Sequence, residues 1–342
     1  SPDWRLRFRR KPLGARTRRW STGDGTGNAQ NWFKHIQLLL AVFEGLTSEG
    51  KPFGGPHRLP LFPGDEEFLT EKSVGKTSLE IPGIREVVKM PPGRKLVGAD
   101  LSQAELRILG ALSGDKKLIH LCVNADESRK LEPDWDPHSY GCLIAFGEGF
   151  TKADEKTKKI LRDLFKRVIY GSFYGAGADT IWQSIYDGGY EGPPIDVEMV
   201  EHILGAIFKA FPDVRPWREN ALREAKATGK VMDALIGRRR EFPLLLIDAT
   251  VVYNFAIQAT TASTMNMSLL ELRHALPSVD PTAMILAQVH DAIYVECAED
   301  KAEAVARLLE QCMSKELTLV PGAQSMPLPA TAKIADDWLQ AG

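Results

Sequence analysis

Residues 95–112 read KLVGADLSQAELRILGAL, an apolar segment that ends in an acid and continues directly into a helical pattern. Residues 95–99 predict a short buried strand, and residues 102–112 predict a helix. Asp100 therefore lies at the end of a strand, where a carboxylate is costly unless it is paired, hydrogen-bonded or bound to a cation. The alternative interpretation is an ordinary helix-cap or turn aspartate.

A second acid has the same setting near the C-terminus. Residues 283–289 and 292–298 predict two apolar strands of a hairpin, with His290 and Asp291 at its tip. Two carboxylates brought together in space repel each other, and a divalent magnesium ion held by oxygen ligands relieves that repulsion. The two acids indicate a metal site if the fold brings Asp100 and Asp291 together.

Residues 151–173 predict an amphipathic helix with one cationic face. Arg162, Lys166 and Tyr170 follow one another at four-residue intervals, so their side chains share that face. Such a face suits a triphosphate, because Arg supplies a bidentate fork and Lys a point charge. Tyr170 and then Tyr174 offer flat surfaces for a sugar or base. The alternative interpretation is a solvated basic stripe, the commoner meaning of Lys and Arg on a helix.

The rest of the chain divides into further helices and irregular stretches. Residues 1–31, which are basic and rich in Gly, Ser and Thr, predict loop or strand and not helix. A long irregular stretch is predicted for residues 50–92, where Gly and Pro recur. Helices are predicted at 32–45, 151–173, 197–211, 217–228, 251–276 and 302–317. Thr151 is the expected cap of its helix, with Asp154 and Glu155 in the first turn.

Composition is typical of a globular protein. With 342 residues, 44% of them apolar and 26% charged, the chain can bury a substantial core. No stretch of about 18 apolar residues is present, and the start lacks a secretory signal. Four cysteines without the paired spacing of a zinc site or disulfide framework predict free thiols: Cys122, Cys142, Cys297 and Cys312. We expect an intracellular protein without membrane contact, in the cytoplasm of a bacterial or phage setting or else in an organelle.

The net charge of −2 hides a basic N-terminal segment. Within residues 1–19, Asp3 is outnumbered by Arg5, Arg7, Arg9, Arg10, Lys11, Arg16, Arg18 and Arg19. Such a segment suits contact with a phosphate backbone. A disordered tail, or the remnant of an Arg-rich organellar transit segment, fits the same charge. Ser at position 1 indicates a chain cut from something longer.

In order and content, the motifs resemble those of family A DNA polymerases, the bacterial DNA polymerase I family. Residues 100–107, DLSQAELR, resemble the family's first palm motif, and residues 288–291, QVHD, resemble its second. The spacing of the family's fingers helix is matched by Arg162, Lys166, Tyr170, Tyr174 and Gly175. Three motifs in the right order, each in fitting secondary structure, distinguish this resemblance from a chance match.

The resemblance implies a two-metal reaction. Asp100 and Asp291 would hold two magnesium ions, for which manganese can substitute, and the Leu101 carbonyl would be an extra ligand. Two positions depart from the family pattern, because Leu101 stands where Tyr is usual and Ala292 where a second acid is usual. We therefore expect weaker metal affinity with activity retained.

The resemblance also implies which residues bind the nucleotide. Residues 136–138, DPH, resemble the element that places His138 beside the incoming phosphates. Arg162 and Lys166 would grip the same phosphates, and Lys166 would protonate the leaving group. The residues implied around the sugar and base are Glu105, which crowds the 2′ position, with Gln103, Tyr170 and Tyr174.

Primer-template contacts are implied by shorter matches. Asn254 and Gln258 resemble a pair that contacts DNA near the insertion site, and residues 237–240, GRRR, resemble a turn between fingers and palm. Arg19 and the NAQN of residues 28–31 resemble the segment whose Arg reads the minor groove at the primer end. The full set of implied DNA contacts is Arg19, Gln30, Asn254, Gln258, His290 and Arg238.

The implied fold class is α+β, a right-hand polymerase architecture with an antiparallel-sheet palm, helical fingers and a thumb that is reduced or absent. The expected divisions are a basic N-terminal segment (1–31), an insertion of unknown role (32–83), palm (84–117 and 249–342) and fingers (118–248). Primer-template DNA and deoxynucleoside triphosphates are the expected partners. A missing N-terminal region or another protein would supply thumb or proofreading functions.

Two other functions stay open at this point. A single-subunit RNA polymerase shares the palm and fingers plan, although the Glu105 motif speaks against it. A non-catalytic DNA-binding relative is suggested by Ala292 and opposed by the intact pair of Asp100 and Asp291.

Overall fold

The computed structural model describes residues 88–128, 136–187, 190, 194–243 and 246–341, with the backbone of four short strands nearer the N-terminus. These strands pair antiparallel as β1 (Arg10–Lys11) with β2 (Ser21–Thr22) and β3 (Ile36–Leu39) with β4 (Ser78–Ile81). The helix predicted over 32–45 is wrong where β3 lies, and β4 falls in the stretch predicted to be irregular. A short apolar run fits either periodicity, and here pairing with a distant strand decides the structure.

A four-stranded antiparallel sheet forms the centre, with strand order β12-β5-β9-β8. Its strands are β5 (Arg94–Leu101), β8 (Met284–Val289), β9 (Ala292–Ala298) and β12 (Ala330–Ala335). Two small pairs lie outside it, β6 (Lys230–Met232) with β7 (Arg239–Glu241) and β10 (Lys315–Leu317) with β11 (Met326–Leu328). The predicted strand before Asp100 and the predicted C-terminal hairpin are confirmed, and so is the α+β class.

Helices pack on both faces of this sheet. In chain order they are α1 (Ala104–Ser113), α2 (Lys116–Ser128), α3 (Pro137–Phe146), α4 (Glu148–Thr151), α5 (Glu155–Phe173), α6 (Ala178–Asp187), α7 (Val197–Ala210), α8 (Val214–Thr228), α9 (Ala249–Val279), α10 (Ala302–Met313) and α11 (Trp338–Ala341). Helix α10 packs on β5 and β12, and α9 packs on α10 and α1. The short α11 also packs on β5 and β12, and its Trp338 belongs to the smaller core cluster that includes Leu96.

The helices between α3 and α7 form a second layer that shares the main core. Helix α3 packs on α5 and α7, and α6 packs on the same two helices. Gly141 makes the first contact possible, because a Cβ there would overlap the Phe165 ring. Phe165 of α5, Phe211 after α7 and Val97 of β5 belong to one buried cluster. The sheet and the second layer are therefore joined by a continuous apolar core.

Helix α5 begins later than predicted. The Asp154 carboxylate accepts the Thr157 N–H at 2.7 Å and so caps α5, whereas Thr151 ends the separate helix α4. The expected cap at Thr151 is therefore wrong by one short turn. Asp is a strong N-cap residue, and the sequence offered two candidate caps in succession.

Two other helices have different bounds from those predicted. Helix α8 begins at Val214, ahead of position 217, and the preceding Asp213 N–H donates to the buried Asp115 at 2.9 Å. Helix α10 ends at Met313, and the predicted helical residues 315–317 form β10 instead. In both cases a contact with a distant part of the chain sets the boundary.

All four cysteines are buried and free, as the sequence predicts. Burial raises the pKa of the Cys142 thiol to about 12 and that of Cys297 to about 11. Both therefore stay protonated and unreactive at neutral pH. Among the described helices, none combines the length and the apolar character needed to cross a bilayer.

Candidate active site

The two strand-end acids lie side by side in the structure. Asp100 is the penultimate residue of β5 and faces Ala292 across the β5–β9 pair, directly next to Asp291. The Leu101 N–H donates to the Asp291 carbonyl at 3.1 Å, which ties the strand end to the hairpin tip. Asp100 is exposed and Asp291 half-buried. The expectation that the fold brings the two acids together is met by this register.

The hairpin tip is held in a fixed, left-handed turn. His290 has a φ of 52°, a conformation that few non-glycine residues adopt. The buried Gln288 side chain donates through Nε2 to the His290 carbonyl. This bond spans the turn and fixes the backbone from which Asp291 projects.

The acid pair provides oxygen donors of the kind that magnesium prefers. Within the described residues, no group of three or more His, Cys, Asp or Glu side chains could hold a metal ion. Ala292, buried beside the pair, supplies no third carboxylate. The donor set fits a metal whose remaining ligands come from water, backbone and substrate, rather than an all-protein cage.

The C-terminal end of α5 meets the start of α1, the helix that follows Asp100. The Tyr174 hydroxyl donates to the Glu105 carboxylate at the start of α1. Burial raises the pKa of Tyr170 to about 12, and the charges of Glu105 and Asp291 add to that rise. The charges of both carboxylates therefore act on the Tyr170 hydroxyl. Gln103, with a φ of 50°, forms the turn that leads from β5 into α1.

The N-terminal half of α5 is tied to α3 through Asp136. Arg162 donates to the Asp136 carboxylate through Nε at 3.2 Å and Nη2 at 3.0 Å. The same carboxylate caps α3 by accepting the His138 N–H at 2.9 Å, and it accepts the Ser139 hydroxyl at 2.6 Å. The imidazole of His138 approaches it through Nδ1 at 3.2 Å. One carboxylate therefore orients both Arg162 and His138.

Asp136 stays ionised despite its burial. Burial alone would raise its pKa, but hydrogen bonds from His138, Arg162 and Ser139 outweigh burial and hold the pKa well below its usual range. The ionised Asp136 carboxylate accepts a hydrogen bond from His138 Nδ1–H. The other ring nitrogen, Nε2, is then available for a different partner. That Nε2 is buried and has no hydrogen-bond partner among the described residues.

Lys166 is the exposed cation of this helix face. It lines a cavity of about 700 Å³ between α5 and α6, together with Tyr170 and Tyr174. Within the part of the chain that the structure describes, no carboxylate pairs with Lys166. The cationic face predicted from the sequence is present, with Arg162 held by Asp136 and Lys166 open.

The residues predicted to contact DNA are placed on different elements. Asn254 and Gln258 are half-buried on α9, and His290 is exposed at the hairpin tip. Arg238 lies in the β6–β7 turn, where its N–H donates to the buried Asp233 at 2.6 Å. The two remaining candidates, Arg19 and Gln30, lie outside the described residues.

Gly175 marks the end of α5 for two physical reasons. Its φ of 81° is left-handed, and a Cβ would lie 2.8 Å from the Tyr253 ring and 3.3 Å from Arg218 Nη2.

The sequence did not predict the ion pair between Asp136 and Arg162, or the position of Arg218 beside Gly175. The Asp-Pro pair at 136–137 signals a helix start, but no local signal connects Asp136 with Arg162, or Arg218 with Gly175.

The comparisons with known proteins agree with this geometry. The model of the family described as DNA polymerase family A matches residues 74–340. The thermostable DNA polymerase I of Thermus aquaticus is 29% identical over 293 residues, covering 80% of this chain and 32% of that protein. The DNA polymerase of Mycobacterium phage D29 is 27% identical over 237 residues, covering 68% of this chain and 34% of that protein. This chain spans about a third of the length of these relatives.

A solved structure has the same fold. The POL domain of Pol1 from M. smegmatis, in complex with DNA primer-template and dNTP, superposes with a TM-score of 0.68 at 21% identity. The match covers 100% of this chain and 49% of that chain.

Proposed function

This chain belongs to DNA polymerase family A, and on that premise we propose that it extends a DNA primer by template-directed addition of deoxynucleotides. The observation that carries the proposal is the meeting of Asp100 and Asp291 at adjacent strand ends. Glu105 and Tyr174, joined by a hydrogen bond, lie at the start of α1 and the end of α5. The end of α5 and the start of α1, which follows the strand of Asp100, therefore meet at this bond, and this supports a site shared by the two elements.

In this proposal Asp100 and Asp291 hold two divalent ions, magnesium or manganese, with the Leu101 carbonyl as a further ligand. When bound, the metals would activate the primer 3′ hydroxyl and neutralise charge on the phosphates. The fixed turn at His290 supports the proposal, because it holds the Asp291 backbone in one conformation before any substrate arrives.

The triphosphate would lie along the cationic face of α5. Lys166 is exposed and open, so it can bind a phosphate and donate a proton to the leaving pyrophosphate. Arg162 is oriented by Asp136, and the unpartnered Nε2 of His138 offers one more polar contact. Oriented donors lose little freedom when a phosphate binds, which favours both affinity and positioning.

Selection of the sugar would depend on Glu105, with Gln103 in the preceding turn. The hydrogen bond from Tyr174 holds the Glu105 carboxylate in place, so that it can crowd the volume a 2′ hydroxyl needs. Tyr170 lies close to Glu105 and would pack against the same sugar. This arrangement favours deoxynucleotides over ribonucleotides.

The primer-template would contact Asn254, Gln258, His290 and Arg238, together with Arg19 and Gln30. Asn254 Oδ1 is buried without a partner among the described residues, so a donor from DNA would satisfy it.

A primer-extension assay with magnesium tests the proposal. Asp100→Ala and Asp291→Ala should each reduce extension by a factor on the order of 10³ or more, because a lost metal ligand removes charge stabilisation needed mainly in the transition state. DNA affinity, measured by fluorescence anisotropy, should stay within about twofold of wild type. Asp300→Ala, which removes an exposed palm carboxylate, is the matched control and should extend normally. Near-normal extension by either variant would contradict the assignment of Asp100 and Asp291 as metal ligands.

A further inference from the structure

Two arginines at the start of α8 surround one aromatic ring. The Arg215 guanidinium lies 4.7 Å from the Phe208 ring centroid, and the Arg218 guanidinium 5.5 Å from the same centroid. Arg218 also lies 4.5 Å from the ring of Tyr253 on α9. Rings on two helices thus hold the flat guanidinium of Arg218 in a fixed orientation.

Neither arginine has an anionic partner among the residues that the structure describes. No carboxylate reaches ion-pair distance of Arg215 or Arg218 there. The Nε of Arg218 is buried without any acceptor. Arg215 also lies in the first turn of α8, where the helix dipole disfavours positive charge. An anionic ligand would correct each of these unfavourable features.

The pair lies where the end of α5 meets α9. Arg218 Nη2 lies 3.3 Å from the position that a Cβ on Gly175 would occupy, and Gly175 directly follows Tyr174, whose hydroxyl donates to Glu105. Tyr253, the ring under Arg218, directly precedes Asn254. Arg218 therefore lies beside Gly175 and Tyr253, the sequence neighbours of two residues, Tyr174 and Asn254, that the proposed function assigns to the nucleotide and the DNA.

An anion bound here would be a different one from the triphosphate. Arg162 belongs to the other end of α5, and at about 1.5 Å per residue the two places are roughly 20 Å apart along the helix. The separation is too large for one triphosphate to contact both. A long polyanion, by contrast, can pass the active site and reach Gly175.

We propose that Arg215 and Arg218 bind the phosphate backbone of the template strand, in its single-stranded part just ahead of the insertion position. The inference rests on the proposed function, in which Tyr174 packs on the templating pair. A template strand that continues past that pair before it is copied would pass Gly175 and Arg218, which lie beside Tyr174. Guanidinium forks match phosphodiester oxygens, and such contacts are independent of base sequence.

Binding measurements on two DNA substrates test the site. One is a blunt primer-template duplex, and the other is the same duplex with a ten-nucleotide 5′ template overhang. Arg215→Ala should weaken overhang binding by about tenfold and lower the salt dependence of log K by about 0.7 for one lost single-strand contact, while blunt-duplex binding is unchanged. Arg215 is exposed, so its truncation should not affect folding.

Arg218→Gln is the second variant, because it keeps hydrogen-bonding groups at the half-buried position and removes the charge. It should show the same overhang-specific loss. Arg223→Ala, an exposed arginine on the same helix, removes an equal charge and should leave both substrates unaffected. An equal loss on blunt and overhang DNA, or an equal loss for Arg223→Ala, would overturn the template site. If wild type extends primers while Arg215→Ala binds overhang DNA normally, this inference fails and the proposed function stands.

Discussion

At the scale of single residues, Asp136 has more influence on the nucleotide site than its position suggests. It need not touch a substrate, yet it orients Arg162 and His138 and caps α3. Its ionised state is maintained by the groups that it orients, since their hydrogen bonds lower its pKa. Removing its charge should therefore disturb nucleotide binding without disturbing the acid pair.

Asp136→Asn should raise the KM for deoxynucleotides by about tenfold. Asn keeps the helix cap but loses the charge-assisted bonds, and each such bond is worth about 1.5 to 3 kcal/mol. Steady-state extension kinetics measure the effect, and DNA affinity should not change. The matched control is Asp196→Asn, which alters the same kind of cap on α7. A changed DNA affinity with an unchanged KM would instead place Asp136 on the DNA side.

Tyr170→Phe should make the enzyme discriminate against dideoxynucleotides. Burial raises the pKa of Tyr170 to about 12, so its hydroxyl remains a donor at every working pH and can replace the contact of a missing 3′ hydroxyl. Losing that group costs about 1 to 3 kcal/mol, a change of roughly tenfold to a hundredfold in selectivity. Competition between normal and dideoxy nucleotides on one primer measures it. The control variant Tyr140→Phe, on α3, should show the same selectivity as wild type. If Tyr170→Phe also shows wild-type selectivity, Tyr170 does not contact the sugar.

The sequence predicted the site best where a charged residue lies at the end of an apolar strand, a position where burial of the charge costs free energy. Asp100 and Asp291 stood out because acids at the ends of apolar strands need a reason. Arg162 was identified by spacing, but spacing could not show that Asp136 would already hold it. No sequence pattern identified Arg218, because its proposed role depends on its contacts with Phe208 and Tyr253 on other helices. Contacts between distant elements are absent from any local pattern.

At the scale of elements, α5 connects the two halves of the site. Its first half contacts Asp136 and its last turn reaches Glu105. Gly175 ends it in a left-handed turn against Tyr253. The placement of Tyr174 therefore depends on a turn that accepts glycine alone without strain.

Gly175→Ala should lower both stability and activity. The left-handed backbone costs about 1 to 2 kcal/mol for an L-residue, and the added Cβ must also displace Tyr253 or Arg218. We expect a fall in Tm of roughly 3 to 8 °C and slower extension, because Tyr174 moves relative to Glu105. Gly205→Ala, in open space on α7, should leave Tm unchanged or slightly higher. Equal Tm values for both variants would show that the α5 turn tolerates a side chain.

The predicted bounds of helices and strands were correct where no contact with a distant part of the chain competed with the local sequence pattern. The strands around Asp291 were predicted almost to the residue, because two apolar runs and a turn between them agree there. The end of α10 was missed since residues 315–317 pair with β11, and the strand Ile36–Leu39 was missed since it pairs with β4. Strand pairing across long sequence separations can override a local helical pattern.

At the scale of the whole molecule, one apolar core joins the sheet to the helices from α3 to α7. Val97, Phe165 and Phe211 lie in the same buried cluster, although they come from a strand, a helix and a loop. Continuous buried packing therefore links the helical layer to the sheet.

That shared core restricts how α5 can move. A layer joined by a thin connection can swing freely about a hinge, whereas packed helices move by small sliding displacements along their contacts. The buried face of α5 includes Leu164, Val168 and Phe173, which would have to slide past their neighbours during any closure over a nucleotide. If α5 closes over a nucleotide in the proposed reaction, it should therefore move by a small sliding displacement in which its buried side chains keep most of their neighbours.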